Sequence, residues 1–153
     1  MTAGADQERG VDRLNLRSRD ELLVAAGLSV IGTDPGWLDP KRAWQTVARA
    51  GAQPDVVIDD SRDGYLDEVN QAWLHLAQSV GVISADRTFL VSVAGPGAFA
   101  LPWALVRLQD DPRMAQHLII YPGEPEFVTI GTETHALCGV TTEEDGIWLL
   151  SSS

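Results

Sequence analysis

The spacing of apolar residues predicts that helices and strands alternate over the first two-thirds of the chain. An apolar stripe at helical spacing, opposite a polar stripe, predicts a helix over 66–80. Start signals and shorter apolar patterns predict helices near 19–26, where Ser18 and Glu21 suit a capping box, and from Pro40 to about residue 50. Short apolar runs predict buried strands at 28–33, 56–58 and 88–93. Strands that alternate with helices favour parallel pairing through right-handed crossovers.

The pattern changes after Gly95. Residues 98–109 fit a helix with Pro102 in its first turn and also fit a strand over 103–108, and we favour the helix. Apolar runs separated by turn residues then predict an antiparallel meander of short strands at 118–121, 127–132, 136–141 and 147–150. The expected fold class is therefore α/β or α+β, with a partly parallel sheet followed by a C-terminal β-meander. The run at 147–150 is expected to be buried, inside the sheet or in a homodimer.

The length of 153 residues suits one folded domain, which we place at 11–153. Residues 1–10 are small and polar, and we expect them to form a flexible leader. Cys138 is the single cysteine, so no intramolecular disulfide is expected. No segment has the apolar length of a secretory signal or of a membrane-spanning helix. These features favour a cytoplasmic location.

Acidic residues outnumber basic ones by 22 to 11, and the formal net charge is −11. This excess argues against a nucleic acid or an anionic membrane surface as the partner, because both attract basic surfaces. Residues 1–53 are balanced in charge, whereas 54–120 carry −5 and 121–153 carry −6. We therefore expect a cation or a basic protein to meet the later part of the chain.

A segment that begins at Asp59 carries candidate metal ligands. Side-chain oxygens stand at its first, third and fifth positions, glycine at its sixth and an acid at its ninth, which resembles the calcium loop of EF-hand proteins over 12 residues. The resemblance implies that Ca²⁺ or Mg²⁺ is bound by Asp59, Ser61, Asp63 and Asp67. Asn70 stands where the EF-hand has a bidentate glutamate. An acidic strand-to-helix turn, with Asp63 or Ser61 as the helix cap, explains the same residues.

The segment 54–59, which contains the predicted strand at 56–58, supports a second resemblance. It ends in Asp59 and follows a predicted helix, as does the third strand of response-regulator receiver domains, which ends in the aspartate that these domains phosphorylate. The resemblance implies a receiver-like topology for about the first hundred residues. The paired acids of that family are missing from 15–20, and Lys41 is the only lysine in the chain.

The remaining residues predict no catalytic arrangement. His75, His117 and His135 lack the spacing of a zinc site, and no serine lies in a nucleophile elbow. The segment Gly95–Gly97 follows a strand, as phosphate-binding loops do. Its proline removes a backbone donor and no Lys-Ser/Thr follows, so we interpret it as a plain turn. We assign no catalytic residue and no required cofactor.

Two classes of function remain. The first is a non-enzymatic acidic module, such as an inhibitor, an immunity-type protein, an adaptor or a regulator, that binds a protein partner. Its candidate contact residues are Trp37, Glu124, Glu126, Glu143, Glu144 and Asp145, and Trp37 could instead be a lid over the core. The second is a domain, enzymatic or not, that binds a divalent cation or a small ligand beyond its strand ends. The acids of that second site would be Asp34, Asp59, Asp60 and Asp63.

Overall fold

The computed structural model describes residues 13–49 and 51–153, and the expected leader at 1–10 lies outside them. The described α-helices are α1 (Leu16–Ala25), α2 (Pro40–Ala48), α3 (Tyr65–Val80) and α4 (Met114–His117), and a 3₁₀ turn covers Ala98–Ala100. None of these described helices is long and apolar enough to cross a membrane.

The described strands form one large and one small sheet. They are β1 (Leu28–Asp34), β2 (Val56–Ile58), β3 (Thr88–Val93), β4 (Trp103–Leu108), β5 (Ile119–Tyr121), β6 (Glu124–Pro125), β7 (Phe127–Ile130), β8 (Leu137–Glu143) and β9 (Gly146–Ser152). The seven-stranded sheet has the order β1-β4-β3-β7-β8-β9-β2, and β5 pairs with β6 apart from it. The mixture of helices with antiparallel strands confirms the α+β form of the expected fold class.

The expected parallel pairing is wrong, because every pair of neighbouring strands in the described residues is antiparallel. β1, β2 and β3 do run in the same direction, but they are not neighbours. β4 lies between β1 and β3, and the hairpin-connected strands β7, β8 and β9 lie between β3 and β2. Strands that are joined by a short connection pair antiparallel. β4, β7, β8 and β9 therefore lie between β1, β3 and β2 and keep these three strands from pairing with one another. The receiver-like topology fails for the same reason.

The segment for which we favoured a helix, 98–109, contains a 3₁₀ turn followed by β4, so that prediction is also wrong. In β4, Trp103 and Leu105 pack on one side of the sheet, and Ala104 and Val106 pack on the other. An interior strand buries both of its faces, which gives a continuous apolar run that resembles a buried helix in sequence.

Helices cover both faces of the large sheet. On one face, α1, α3 and α4 enclose the larger apolar cluster, in which the ring centroid of Trp73 lies 5.2 Å from that of Phe89 and 6.3 Å from that of Phe127. The buried indole N–H of Trp73 donates to Thr129 Oγ1 at 3.2 Å, which satisfies its one polar group. On the other face, α2 covers a smaller cluster that includes Trp103.

Two helix starts can be compared directly with the sequence. The Asp39 side chain caps α2 and Pro40 is its first residue, as the sequence predicts. α1 begins about one turn earlier than expected, because its capping box is formed by Asn15 and Ser18 and not by Ser18 with Glu21.

The apolar strand β9 is buried inside the sheet, between β8 and β2. Ile147 and Leu149 are fully buried, and Leu150 is 5% exposed. The expected burial is confirmed, and the sheet itself supplies it. The reason for expecting a homodimer through this strand therefore disappears.

Gly139 in β8 lies against α2 with no room for a side chain. A Cβ at this position would stand 2.6 Å from Val47 Cγ1. We expect Gly139→Ala to lower the free energy of unfolding by about 1–3 kcal/mol, because α2 must move away from the sheet. Urea denaturation followed by circular dichroism measures the change. The control is Gly32→Ala in β1, where an added Cβ meets no atom within 4 Å; equal losses in both variants would contradict the explanation.

Candidate functional site at the acidic end of the sheet

The register of the large sheet brings loops from distant parts of the sequence to one end. Ile58 at the end of β2 pairs with Ile147 at the start of β9. The start of β7 lies at the same end, because Phe127 pairs with Val140 near the end of β8. We call this the acidic end and define it by the segments that leave or enter these strands, 59–63, 124–126 and 143–145.

The four predicted metal ligands lie in two separate places. Asp59 Oδ1 accepts hydrogen bonds from the backbone N–H of Ser61 at 2.9 Å and from its hydroxyl at 2.7 Å, and these bonds lower the pKa of Asp59. Asp63 is exposed in the same turn. Asp67 instead accepts from Gln116 Nε2 of α4 at 2.9 Å. The ninth position of the calcium-loop pattern therefore contributes to helix packing.

Asn70 also attaches α3 to α4. Its Oδ1 accepts from the Ala115 N–H at 2.8 Å, and its Nδ2 donates to Gln116 Oε1 at 2.7 Å. Within residues 13–49 and 51–153, no group of three or more His, Cys, Asp or Glu side chains is arranged to hold a metal ion. The described chain therefore holds no preformed ligand set for the metal predicted at the segment that begins at Asp59.

The alternative interpretation of this turn holds only in part. Neither Asp63 nor Ser61 caps α3; the N-cap is Gly64, whose φ of 78° turns the chain into the helix without a side-chain cap. Asp67 and Glu68 lie in the first turn, where a carboxylate favours the helix dipole. The acids therefore support the start of the helix electrostatically.

The second predicted set of acids, at the strand ends, is not brought together. β1 and β2 are opposite edges of the large sheet, so its full width separates Asp34 from Asp59. The Asp34 side chain accepts a hydrogen bond from the Gly36 N–H at 2.8 Å within its own loop. Only Asp59, Asp60 and Asp63 lie at the acidic end.

The predicted partner-binding acids, in contrast, do lie together. Glu124, Glu143 and Glu144 are exposed at the acidic end. Asp145 is exposed as well, and it accepts a hydrogen bond from the indole N–H of Trp148 at 2.8 Å, which fixes the β8–β9 turn. Glu126 is the exception, because it is half-buried beside them.

Burial raises the pKa of Glu126 above the usual value for glutamate. Its Oε2 accepts a hydrogen bond from the Thr142 N–H at 3.3 Å, which opposes this rise, while the charges of Glu143 and Glu124 add to it. The acidic end therefore holds one carboxylate whose negative charge the protein compensates only in part.

Trp37 lies away from these acids. Its ring stacks on His135 with 4.9 Å between the ring centroids, and it is 37% exposed. His135 belongs to the loop between β7 and β8, at the end of the sheet opposite the acidic end. The six residues proposed as partner contacts therefore do not form one surface, and Trp37 stands apart from the five acids.

A cleft of about 360 Å³, which sequence reasoning missed, opens next to the acidic end. Its walls come from the segment 94–100 after β3, from Trp44 of α2, and from Arg13 and Glu126, and we call it the Gly95 cleft. Phe99 in its wall is 53% exposed. The sequence feature that could have indicated the cleft is Phe99, a large apolar side chain in a segment of glycine and alanine.

Comparison with protein-family models, with curated proteins and with solved structures gives no match to the chain.

The geometry around Asp67 and Asn70 leads to a prediction about calcium. Both side chains already bond to α4, so ligating a cation from this turn would break helix packing. We expect millimolar Ca²⁺ or Mg²⁺ to leave the melting temperature of the wild-type protein unchanged. Adding the same cation to the Asp59→Asn variant should likewise leave the melting temperature of that variant unchanged. A rise in melting temperature that Asp59→Asn abolishes would contradict this expectation and establish metal binding.

The raised pKa of Glu126 predicts a pH-dependent stability difference. A carboxyl that binds its proton more tightly in the folded state destabilises that state when it ionises. We expect Glu126→Gln to raise the melting temperature at pH 7. The difference should shrink as the pH falls through the raised pKa and vanish below the ordinary glutamate value of about 4.3.

The matched control is Glu133→Gln, which removes an exposed carboxylate at the opposite end of the sheet. Differential scanning calorimetry across this pH range measures both variants. A Glu126→Gln protein that is less stable than wild type at pH 7 would show that its ionised form is favoured by the fold.

Proposed function

We propose that the protein is a non-enzymatic binding module whose acidic end receives a positively charged segment of a partner protein. The observation that carries the proposal is Glu126, half-buried beside Glu124 and Glu143 with its pKa raised by burial and by their charges. A cationic side chain of a partner placed there would offset this unfavourable charge.

The charges of the acidic end favour such a partner. Arg62 lies within this end, but it forms an ion pair with Glu68. None of the ion pairs between described residues involves Glu124, Glu126 or Glu143. A basic segment would therefore meet carboxylates that described basic side chains do not contact, and long-range attraction would speed its association.

Exposed aromatic side chains flank the acidic end and would add apolar contact area to the electrostatic attraction. Tyr121 is 63% exposed on the β5–β6 hairpin, which the Tyr65 hydroxyl holds to the start of α3 by donating to the Gly123 carbonyl at 2.7 Å. Phe99 is 53% exposed on the other side. Aromatic side chains of this kind are the usual anchors of protein interfaces.

The proposal includes a regulatory, inhibitory or adaptor role in the cytoplasm, as the composition and the single cysteine favour. The alternative class, a domain that binds a small ligand, is favoured by a different observation, the Gly95 cleft.

The test uses a short lysine-rich peptide that contains one aromatic residue, with the same peptide acetylated on its lysines as the charge control. Fluorescence anisotropy should show binding of the first peptide that weakens as the salt concentration rises. We expect the double variant Glu124→Gln/Glu143→Gln to bind it about fivefold more weakly, the effect of two exposed ion pairs.

The matched double variant Glu133→Gln/Asp110→Asn removes the same charge at the opposite end of the sheet, where β7 gives way to β8 and β4 ends. It should bind the peptide with an affinity within about twofold of wild type. Glu133 and Asp110 lie farther from the acidic end than the Debye length, so salt screens their charges there. Equal losses in the two double variants would mean that net charge alone attracts the peptide, and the proposed site would be refuted.

A further inference from the structure

The Gly95 cleft has rigid walls. Its loop is fixed by backbone hydrogen bonds from Ala98 N–H to Gly95 O and from Ala100 N–H to Gly97 O, both 3.1 Å. The indole N–H of Trp44 donates to Ser92 Oγ at 2.9 Å, which holds that ring in one orientation on the opposite wall. Pockets that bind small molecules are typically preformed, of about 300–1,000 Å³, and mostly apolar with a few polar groups.

Arg13 supplies a positive charge to this cleft. The next residue, Leu14, donates its N–H to the Pro96 carbonyl at 2.8 Å, so the chain at Arg13 is bonded to the loop that forms the cleft. The Arg13 guanidinium lies over Gly97, where an added Cβ would stand 3.2 Å from one of its nitrogens. Glycine at this position therefore makes room for the arginine.

Glu126 supplies a negative charge to the same cleft. Among ion pairs between described residues, Arg13 and Glu126 are not paired with each other. The cleft thus presents two opposite charges between aromatic surfaces, those of Trp44 and Phe99.

We propose that the Gly95 cleft binds a zwitterionic small molecule with an apolar body, of the chemical class of free apolar α-amino acids. The ligand carboxylate would bind the Arg13 guanidinium, its ammonium would bind the Glu126 carboxylate, and its side chain would pack between Trp44 and Phe99. This inference shares Glu126 with the proposed function but goes beyond it, because it concerns a different ligand and needs neither Glu124 nor Glu143.

Ligands with a single charge fit this cleft less well. A carboxylate without an ammonium would satisfy Arg13 but approach Glu126, and an amine without a carboxylate would approach Arg13. Phosphate is disfavoured further, since the N–H groups of Ala98 and Ala100 are already bonded within the loop. A zwitterion matches both charges, and charge-assisted hydrogen bonds are the strong ones.

The first experiment titrates ¹⁵N-labelled protein with L-phenylalanine, L-leucine and L-methionine, and follows the indole N–H signal of Trp44, assigned by its loss in Trp44→Phe. At least one of these amino acids should give a saturable shift at millimolar concentration. Phenethylamine and 3-phenylpropionate, which each keep one of the two charged groups of phenylalanine, should bind at least tenfold more weakly than the best amino acid.

The second experiment compares two carboxylate variants. Glu126→Gln should weaken binding of the amino acid at least tenfold, whereas Glu133→Gln, which removes an exposed carboxylate at the opposite end of the sheet that does not line the cleft, should stay within about twofold. The thermal transition of each variant confirms that it is folded. Arg13→Met and Phe99→Ala should each weaken binding as well.

Three results would overturn the proposal: no saturable shift with any of the three amino acids, equal affinity for the amine or the acid analogue, or unchanged affinity in Glu126→Gln. The outcome is distinguishable from that of the peptide experiment. Loss of peptide binding in Glu124→Gln/Glu143→Gln with retained amino acid binding supports both sites, and failure of either titration refutes that site alone.

Discussion

The pairing of β3 with β7 is the interaction on which the rest of the structure depends. Among the described strands, it is the one ladder that joins β1, β4 and β3 to the group β7, β8, β9 and β2. Its register, in which Val93 pairs with Phe127, also places Glu126 next to the loop that follows β3. The larger core on one face and the Gly95 cleft on the other therefore both depend on the register of β3 with β7. If this ladder slipped by one residue, every side chain of β7 would change faces.

Local features of the fold could be predicted because their causes are local. The stripe of α3 and the cap formed by Asp39 and Pro40 act within a few residues, and the sequence shows both. The alternation of β7, β8 and β9 with tight turns predicts a meander in the same way. The order of strands could not be predicted, since insertion of this meander between β3 and β2 depends on pairings between residues far apart in the chain. The segment 103–108 was misjudged because burial on both faces removes the alternation that marks a strand.

The candidate site shows the same division. The counting of charge along the sequence located the excess of acids in 54–120 and 121–153. The alternating strand directions explain why 59–63, 124–126 and 143–145 meet at one end, whereas Glu133 lies at the other. Trp37 could not be placed, since its loop crosses the sheet face, with Gly36 against Trp103 and Ile130, and reaches His135 at the far end. The cleft was missed because Arg13, Trp44 and Glu126 come from three separate parts of the chain, and no sequence spacing relates them.

The interior position of β9 has a consequence for biosynthesis. In the described chain β2 is an edge strand whose one neighbour is β9, so Val56 has no ladder partner until Leu149 has been made. The sheet cannot be completed while the residues of β9 are still in the ribosomal tunnel, and the nascent chain must carry unpaired strand edges until they emerge. Pairing of β2 with β9 spans a long stretch of sequence, and this makes completion of the sheet slow by comparison with the folding of a helical domain of equal size.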